Sequence, residues 1–329
     1  MACKVIDLHC DSVSSLMAGK DMLKNIPGAH VDLPRLKKGC VGLQVFAAYV
    51  PSGTVNAFDY AVQRLDAIAA FAGSSEDLAF VETFADANAV MAAGKTGIMA
   101  AVENGLAIEG SLEKLEQLRR RKVRILTLVH SRHLPWITSC SDNDPLRPEN
   151  LSLDSFGGRV LDVMNDLGII PDVSHSSQAA FWAVIRRSKK PVIASHSCAY
   201  SICRAARNLK DDQLKALGDS GGLAAVNFFC SFLSEPFRLA YEKNKTVPGN
   251  LPVPWTLIAD HIDHMVKMAG INSVALGSDF DGIPAAPDGV TGSDFYPVLE
   301  TELKNRGYSQ ESLDKIFNAN FLRLLEQWD

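Results

Sequence analysis

The sequence predicts an α/β chain that closes into one (β/α)8 TIM barrel, with extra helices after the last strand. Three observations carry that expectation. Eight short apolar, β-branched runs recur along the 329 residues, helical periodicity fills most of the gaps between them, and histidines and carboxylates stand where the runs end. Strands that read as near-continuous apolar runs belong to parallel sheets buried on both faces, and eight is a count that closes into a barrel.

The first four runs are "KVIDLH" (4–9), "GLQVFAAYV" (42–50), "TGIMAAVE" (96–103) and "VRILTLVH" (123–130). The next four are "GIIPDVSH" (168–175), "PVIASH" (191–196), "GLAAVNFF" (222–229) and "SVALGSD" (273–279). Between them, "AFDYAVQRLDAIAAFA" is amphipathic and "SLEKLEQLRRR" opens on a serine suited to capping a helix. "DSFGGRVLDVMNDLG" and "WTLIADHIDHMVKMAG" both stop on glycine, a usual helix terminator. Long polar loops are predicted over 139–154 and 232–254, both above the same barrel mouth. The result is a single domain, with the barrel over about 4–282 and a helical extension over about 293–329 expected to pack outside it.

Composition narrows the function. The chain is 47% hydrophobic and 22% charged, ordinary for a globular protein with a large core. Net charge is −5 with no basic block, so nucleic-acid binding has no electrostatic footprint. The longest uncharged run, Gly39–Phe58, is broken by "PSG", which argues against a membrane span. With no apolar leader as written and seven cysteines lacking any CxxC pair, the expectation is reduced thiols and a cytoplasmic location. No Walker or dinucleotide fingerprint appears, since "DSGGLAAV" precedes a strand instead of following one.

The chemistry sits at the strand ends, where (β/α)8 enzymes assemble their active sites. The first strand delivers His9 and Asp11, which alternation would put on one face. Glu103, His130, His175, His196 and Asp279 end five others. Gathering so many imidazoles and carboxylates on one rim without a cation would cost desolvation and like-charge repulsion. The donor types suit Zn²⁺, with Mn²⁺, Co²⁺ or Fe²⁺ as substitutes. Five candidate ligands (His9, Asp11, Glu103, His175 and His196) exceed one open site and match two ions, with Glu103 the natural bridge. Such a pair lowers the pKa of a shared water toward ~7 and polarises a carbonyl. Asp279 would act as general base, although Asp281 competes for that role, and His130 could hydrogen-bond a developing oxyanion. His261 and His264 lie on an outward-facing helix and read as structural or solvated; Trp136 reads equally as a cleft wall or a loop anchor.

Seven motifs in order, "IDLHCD", "VENG", "LTLVHSRHLPW", "GIIPDVSHSS", "PVIASHSCAYS", "RAARN" and "GSDFDG", extend over about 5–282. On these the chain resembles the membrane dipeptidase (renal dipeptidase, dehydropeptidase; peptidase M19) family of metal-dependent, amidohydrolase-like barrels. The resemblance implies a binuclear zinc dipeptidase tolerant of a D-residue at the C-terminal position. It implies His9, Asp11 and Glu103 on one zinc, with Glu103, His175 and His196 on the other. It further implies Asp279 as the catalytic carboxylate, His130 as a substrate-binding residue and Arg207 as the receiver of the dipeptide's C-terminal carboxylate. A guanidinium pairs bidentately with a carboxylate, so that role is also sensible chemically, with Arg204 a nearby competitor. The chain departs from common members in carrying Leu8 and Cys10 around the first ligand, and in the phenylalanines of "NFFCSFLS", which imply a less polar pocket. Cys10 is expected to point away from the metals. Two rivals stay open: another binuclear-metal hydrolase acting on an ester, lactone or phosphoester, and a non-catalytic binding barrel. A homodimer is compatible with the helical tail.

Overall fold

The computed structural model describes residues 4–142 and 152–329. Nine strands form one parallel sheet: β1 Val5–Cys10, β2 Val41–Tyr49, β3 Leu78–Phe80, β4 Thr96–Glu103, β5 Ile125–Thr127, β6 Ile170–Asp172, β7 Ile193–Ala194, β8 Leu223–Val226 and β9 Val274–Leu276. Eight of them close in the order β1-β2-β4-β5-β6-β7-β8-β9, with β9 returning to β1 through Asp7 and Leu276. Helices flank the ring, so the sheet is buried on both faces, as the unbroken apolar runs require. The expected barrel is present, and every predicted strand supplies one of its staves.

Helix boundaries follow the local chemistry. Ser111 caps Leu112–Arg120 by accepting from the Lys114 amide, and Asp154 caps Ser155–Leu167 by accepting from Gly157. Gly168 ends that helix at φ +72°, where a side chain would be strained.

Three expectations need correction. β3 was not foreseen; it pairs with Thr96–Ile98 of β4, below the point where β5 begins. Part of the polar loop over 139–154 lies outside the described residues, but 232–254 is not all loop. It holds a helix over Glu235–Asn244, started by Ser234 accepting from the Phe237 amide and by a proline in the first turn. Arg238 steadies this helix by reaching Glu235 and Glu242.

The tail, finally, does not simply pack outside. The helix Asn320–Trp328 places Phe321, Leu324, Leu325 and Trp328 in the same buried cluster as Ile6, Leu43, Met99, Ile125, Ile170, Ile193 and Leu223. Asn320 Nδ2 donates to the carbonyls of Ile271 and Val274, and Trp328 Nε1 donates to that of Pro191. These carbonyls lie at the N-terminal ends of β9 and β7, so the helix stoppers the barrel opposite the candidate site.

Candidate metal centre

Strand β1 shows how the site is built. Ile6 and Leu8 belong to the inner cluster while Cys10 packs in the outer one, so simple alternation would send His9 outward. A register irregularity between Asp7 and Cys10 interrupts the alternation and lets His9 serve the interior as well. Cys10 thus faces away from the site, as expected. Beyond β1, the Asp11 amide donates to the Phe280 carbonyl at 2.9 Å and the Asp279 amide to that of His9 at 3.0 Å, which holds two carboxylates side by side. Gly282 backs onto both, and a Cβ there would collide with Asp11 Oδ2 and Asp279 Oδ1.

His130, His175, His196 and Asp279 each stand just past the last paired residue of their strands. At these strand ends His175 and Asp279 adopt φ of +66° and +64°, a left-handed backbone uncommon outside glycine. Such strain persists where surrounding structure over-determines it, commonly at functional sites.

All five predicted ligands converge. Glu103 Oε2 lies 3.7 Å from His9 Nε2, while Glu103 Oε1 lies 3.1 Å from His175 Nε2 and 3.5 Å from His196 Nε2. His9 Nε2 is 3.6 Å from Asp11 Oδ2 and 3.9 Å from Asp279 Oδ1. The division into two groups is less clean than expected, because His196 shares a cluster with His9 and Glu103, while His130 joins Glu103 and His175.

Three observations test whether these residues fit divalent cations. His9 Nε2 is buried without a hydrogen-bond partner although it faces three carboxylates. His175 Nε2 and His196 Nε2 sit 3.0 Å apart, both aimed at Glu103 Oε1. The protonation chemistry points the same way. Ser195 Oγ lies 2.6 Å from Asp172 Oδ2, an acceptor only, so its proton goes there. The Ser195 oxygen then accepts from His196 Nδ1 at 2.7 Å, which leaves the lone pair on Nε2. The His196 lone pair, the Glu103 oxygen and His175 Nε2 thus converge on one point, a donor set that a divalent cation would satisfy. The residues fit.

Electrostatics agree with ligation. Burial pushes His175 and His196 well below the ordinary histidine value, and nearby cationic groups add to it, so both are neutral donors. Burial also disfavours His9⁺, but Glu103 and Asp11 outweigh it and raise the pKa; a metal would take the place of that proton. Desolvation pushes Asp279 up to about 7, suiting a group that gives and takes protons near neutrality.

The open alternatives narrow. Asp281 is engaged elsewhere: its oxygens accept from Ser12 Oγ at 2.6 Å and the His30 amide at 2.7 Å. Asp279 takes one bond, from Asn227 Nδ2 at 2.8 Å, and keeps Oδ1 toward His9. Arg204 is exposed, whereas Arg207 is only 7% exposed and donates to Ser197 Oγ and the His196 carbonyl, with its Nε unpartnered. His130 packs between the rings of Tyr49 and His175. A cavity of ≈ 530 Å³ opens over the centre, lined on one side by Tyr49, Tyr60 and Arg64 and on another by Phe229, Phe232 and Ile283.

Trp136 does not line this cavity; it is buried against Gly105 and Phe156 as a loop anchor. His261 is structural, with Nδ1 accepting from the Ala199 amide and Nε2 facing the Leu233 carbonyl. His133 Nδ1 accepts from the Ser139 amide, His264 pairs with Asp211, and His30 Nδ1 accepts from the Asp281 amide. Sequence reasoning missed Asp7, Asp172 and Ser195 beneath the ligands. Asp7 accepts from Ser278 Oγ, Tyr296 Oη and the amides of His9 and Ser278; Asp172 accepts from Thr127 Oγ1, Ser195 Oγ and the amides of Ser174 and Ser195. The available signal was an aspartate embedded in an apolar run, two or three residues before a ligand histidine.

Comparison with known proteins agrees with this picture. Residues 1–329 match the family described as Membrane dipeptidase (Peptidase family M19). The chain is 30% identical over 308 residues to dipeptidase 3 of Mus musculus, covering 93% of this chain and 59% of that one. It thus spans about three fifths of the length of the curated relatives it matches. A metallo-peptidase structure described as dipeptidase AC of family M19 superposes with a TM-score of 0.88 at 27% identity, covering 99% of both chains. A Rhodobacter sphaeroides metallo-peptidase, liganded with a phosphinate mimic of L-Ala-D-Ala, gives 0.88 at 25% identity over 100% of both. With barrel, strand-end side chains and full-length match in agreement, the chain belongs to the membrane dipeptidase family, peptidase family M19.

Proposed function

We propose that this protein is a dipeptidase with two divalent ions, zinc in the simplest case, held by His9, Asp11, Glu103, His175 and His196. The observation that carries the reading is Glu103, whose two carboxylate oxygens face different imidazoles, Oε2 toward His9 and Oε1 toward His175 and His196. His9 and Asp11 complete one ligand set; His175 and His196 complete the other. Bound there, the ions would lower the pKa of a water and polarise the scissile carbonyl.

The chain's own groups do the rest. Asp279 accepts the water's proton through Oδ1 and returns it to the leaving amine, while Asn227 fixes its other oxygen. His130 donates a hydrogen bond to the carbonyl oxygen as charge grows there. Arg207 receives the C-terminal carboxylate, a requirement that favours dipeptides over longer chains. Burial keeps His130 below its ordinary pKa, so it works as a neutral donor. The L-Ala-D-Ala mimic bound by the Rhodobacter relative supports acceptance of a D-residue at the C-terminal position. Among the described residues no helix is long and apolar enough to cross a membrane. Six cysteines there are free thiols, and that usage is what supports a reducing, cytoplasmic location.

The test is a panel of L,L- and L,D-dipeptides assayed with the metal-loaded protein, its metal content measured alongside. Two ions per chain with turnover of dipeptides is expected. Faster cleavage of tripeptides or acyl-amides would overturn the substrate class.

A further inference from the structure

The cavity over the centre contains a cation that the reaction above does not use. Arg64 lines it from the helix Ala57–Ala72, the helix that follows β2. Its guanidinium carbon lies 3.3 Å from the centre of the Tyr60 ring, one turn earlier on the same helix, and Nη1 donates to the Tyr60 carbonyl at 3.1 Å. The ring covers one face of the guanidinium and fixes its attitude. Its other N–H groups have no partner among the described residues, and no carboxylate there pairs with it.

Placement gives this cation a meaning. Around the ring of eight staves, β2 and β7 are four positions apart, hence across the barrel from each other. Arg207 follows β7 and Arg64 follows β2, so the two guanidiniums stem from opposite sides of the barrel, Arg64 in the cavity wall and Arg207 buried behind His196. A dipeptide that gives its C-terminal carboxylate to Arg207 extends its N-terminal residue toward the β2 side. The free ammonium of that residue is drawn to carboxylates, and Asp11, Asp279 and Asp281 all line the cavity. A guanidinium on the same side repels an ammonium, so what it can hold is the side chain, if that side chain is an anion.

We propose that Arg64 is a specificity-determining residue that recognises an acidic side chain, aspartate or glutamate, on the N-terminal residue of the dipeptide. The inference rests on the dipeptidase reading and names its preferred substrate class. A planar guanidinium backed by an aromatic ring offers a carboxylate two parallel donors, whereas a neutral amide of the same shape can match only part of that pattern.

The experiment compares kcat/KM for L-Glu-L-Ala against L-Gln-L-Ala, and L-Asp-L-Ala against L-Asn-L-Ala, in the metal-loaded wild type, R64M and R64K. The wild type is expected to favour the acidic member of each pair by about tenfold, the scale of one charge-assisted hydrogen bond. R64M should bring both ratios close to one, and R64K should retain part of the preference. Arg64 is partly exposed and bonds only within its own helix, so the variants are expected to fold; the wild-type ratios decide the matter even if they do not. Wild-type ratios near one, or ratios unchanged in R64M, would overturn the proposal while leaving dipeptide cleavage intact. Failure of the wild type to cleave any dipeptide would instead overturn the dipeptidase reading, and this inference with it.

Discussion

Ser195→Ala tests whether the polar layer under the metal ligands tunes the centre. In the wild type the Ser195 hydroxyl joins the Asp172 carboxylate to His196 Nδ1, with links of 2.6 and 2.7 Å. Removing it leaves Nδ1 without an acceptor in a side chain only 1% exposed, and takes one donor from a buried carboxylate. Loss of the hydrogen-bond partner of a ligating histidine typically weakens metal binding about 10- to 100-fold. That corresponds to about 1.4–2.7 kcal/mol. The Ser195 amide still donates to Asp172 at 2.9 Å, and Thr127 and Ser174 continue to serve it, so the strand end stays in place. Competitive titration against a chelator, read as metal retained per chain, measures the change directly. Ser195→Thr, which restores the hydroxyl, should recover most of the affinity. Undiminished metal retention in Ser195→Ala would refute the argument that the Asp172–Ser195 link sets the His196 tautomer.

Three other outcomes are expected. Glu103→Gln should lower metal occupancy and abolish dipeptide turnover, because one amide cannot offer anionic oxygens to both imidazole groups; metal analysis with a turnover assay checks both, and full activity would remove the bridge. Arg207→Met should raise KM for dipeptides by about 10- to 100-fold, the worth of a charged hydrogen-bonded contact, and hardly affect a neutral ester. Urea denaturation should show a pH dependence due to His261. Burial pushes this histidine down to about 4, against roughly 6.5 when unfolded. Between those values only the unfolded chain takes the proton, so stability is lost as pH falls through the window. The loss reaches about 2.5 kcal/mol near pH 4.5, and His261→Gln, compared with the wild type, should remove that component.

Much of the barrel and all five candidate ligands were legible because both rest on short-range pattern. Eight apolar runs mark the staves, and a histidine or carboxylate terminates most of them. What stayed hidden depends on contacts distant in sequence. β3 has three residues, too few to display a period. Alternation paired His9 with Asp11 but could not turn His9 inward, since the strand carries a register irregularity that only its pairing with β2 reveals. Asp7 and Asp172 look like interruptions of apolar strands until their hydroxyl and amide donors, drawn from up to 289 residues away, are in place. Arg64 and Tyr60 read as ordinary members of an amphipathic helix, because nothing local says that this turn overlooks the cavity.

The stopper helix ties assembly order to chemistry. During synthesis the staves bearing His9, Glu103, His175 and His196 emerge well before residues 320–328, so their inner apolar layer remains uncapped until that late segment arrives. A half-made barrel therefore exposes the very surface that invites wrong pairing, while its imidazoles lack the fixed spacing that gathers cations. Deleting residues 320–328 is therefore expected to lower metal retention at the opposite rim, which a chelator titration of the truncated chain would measure.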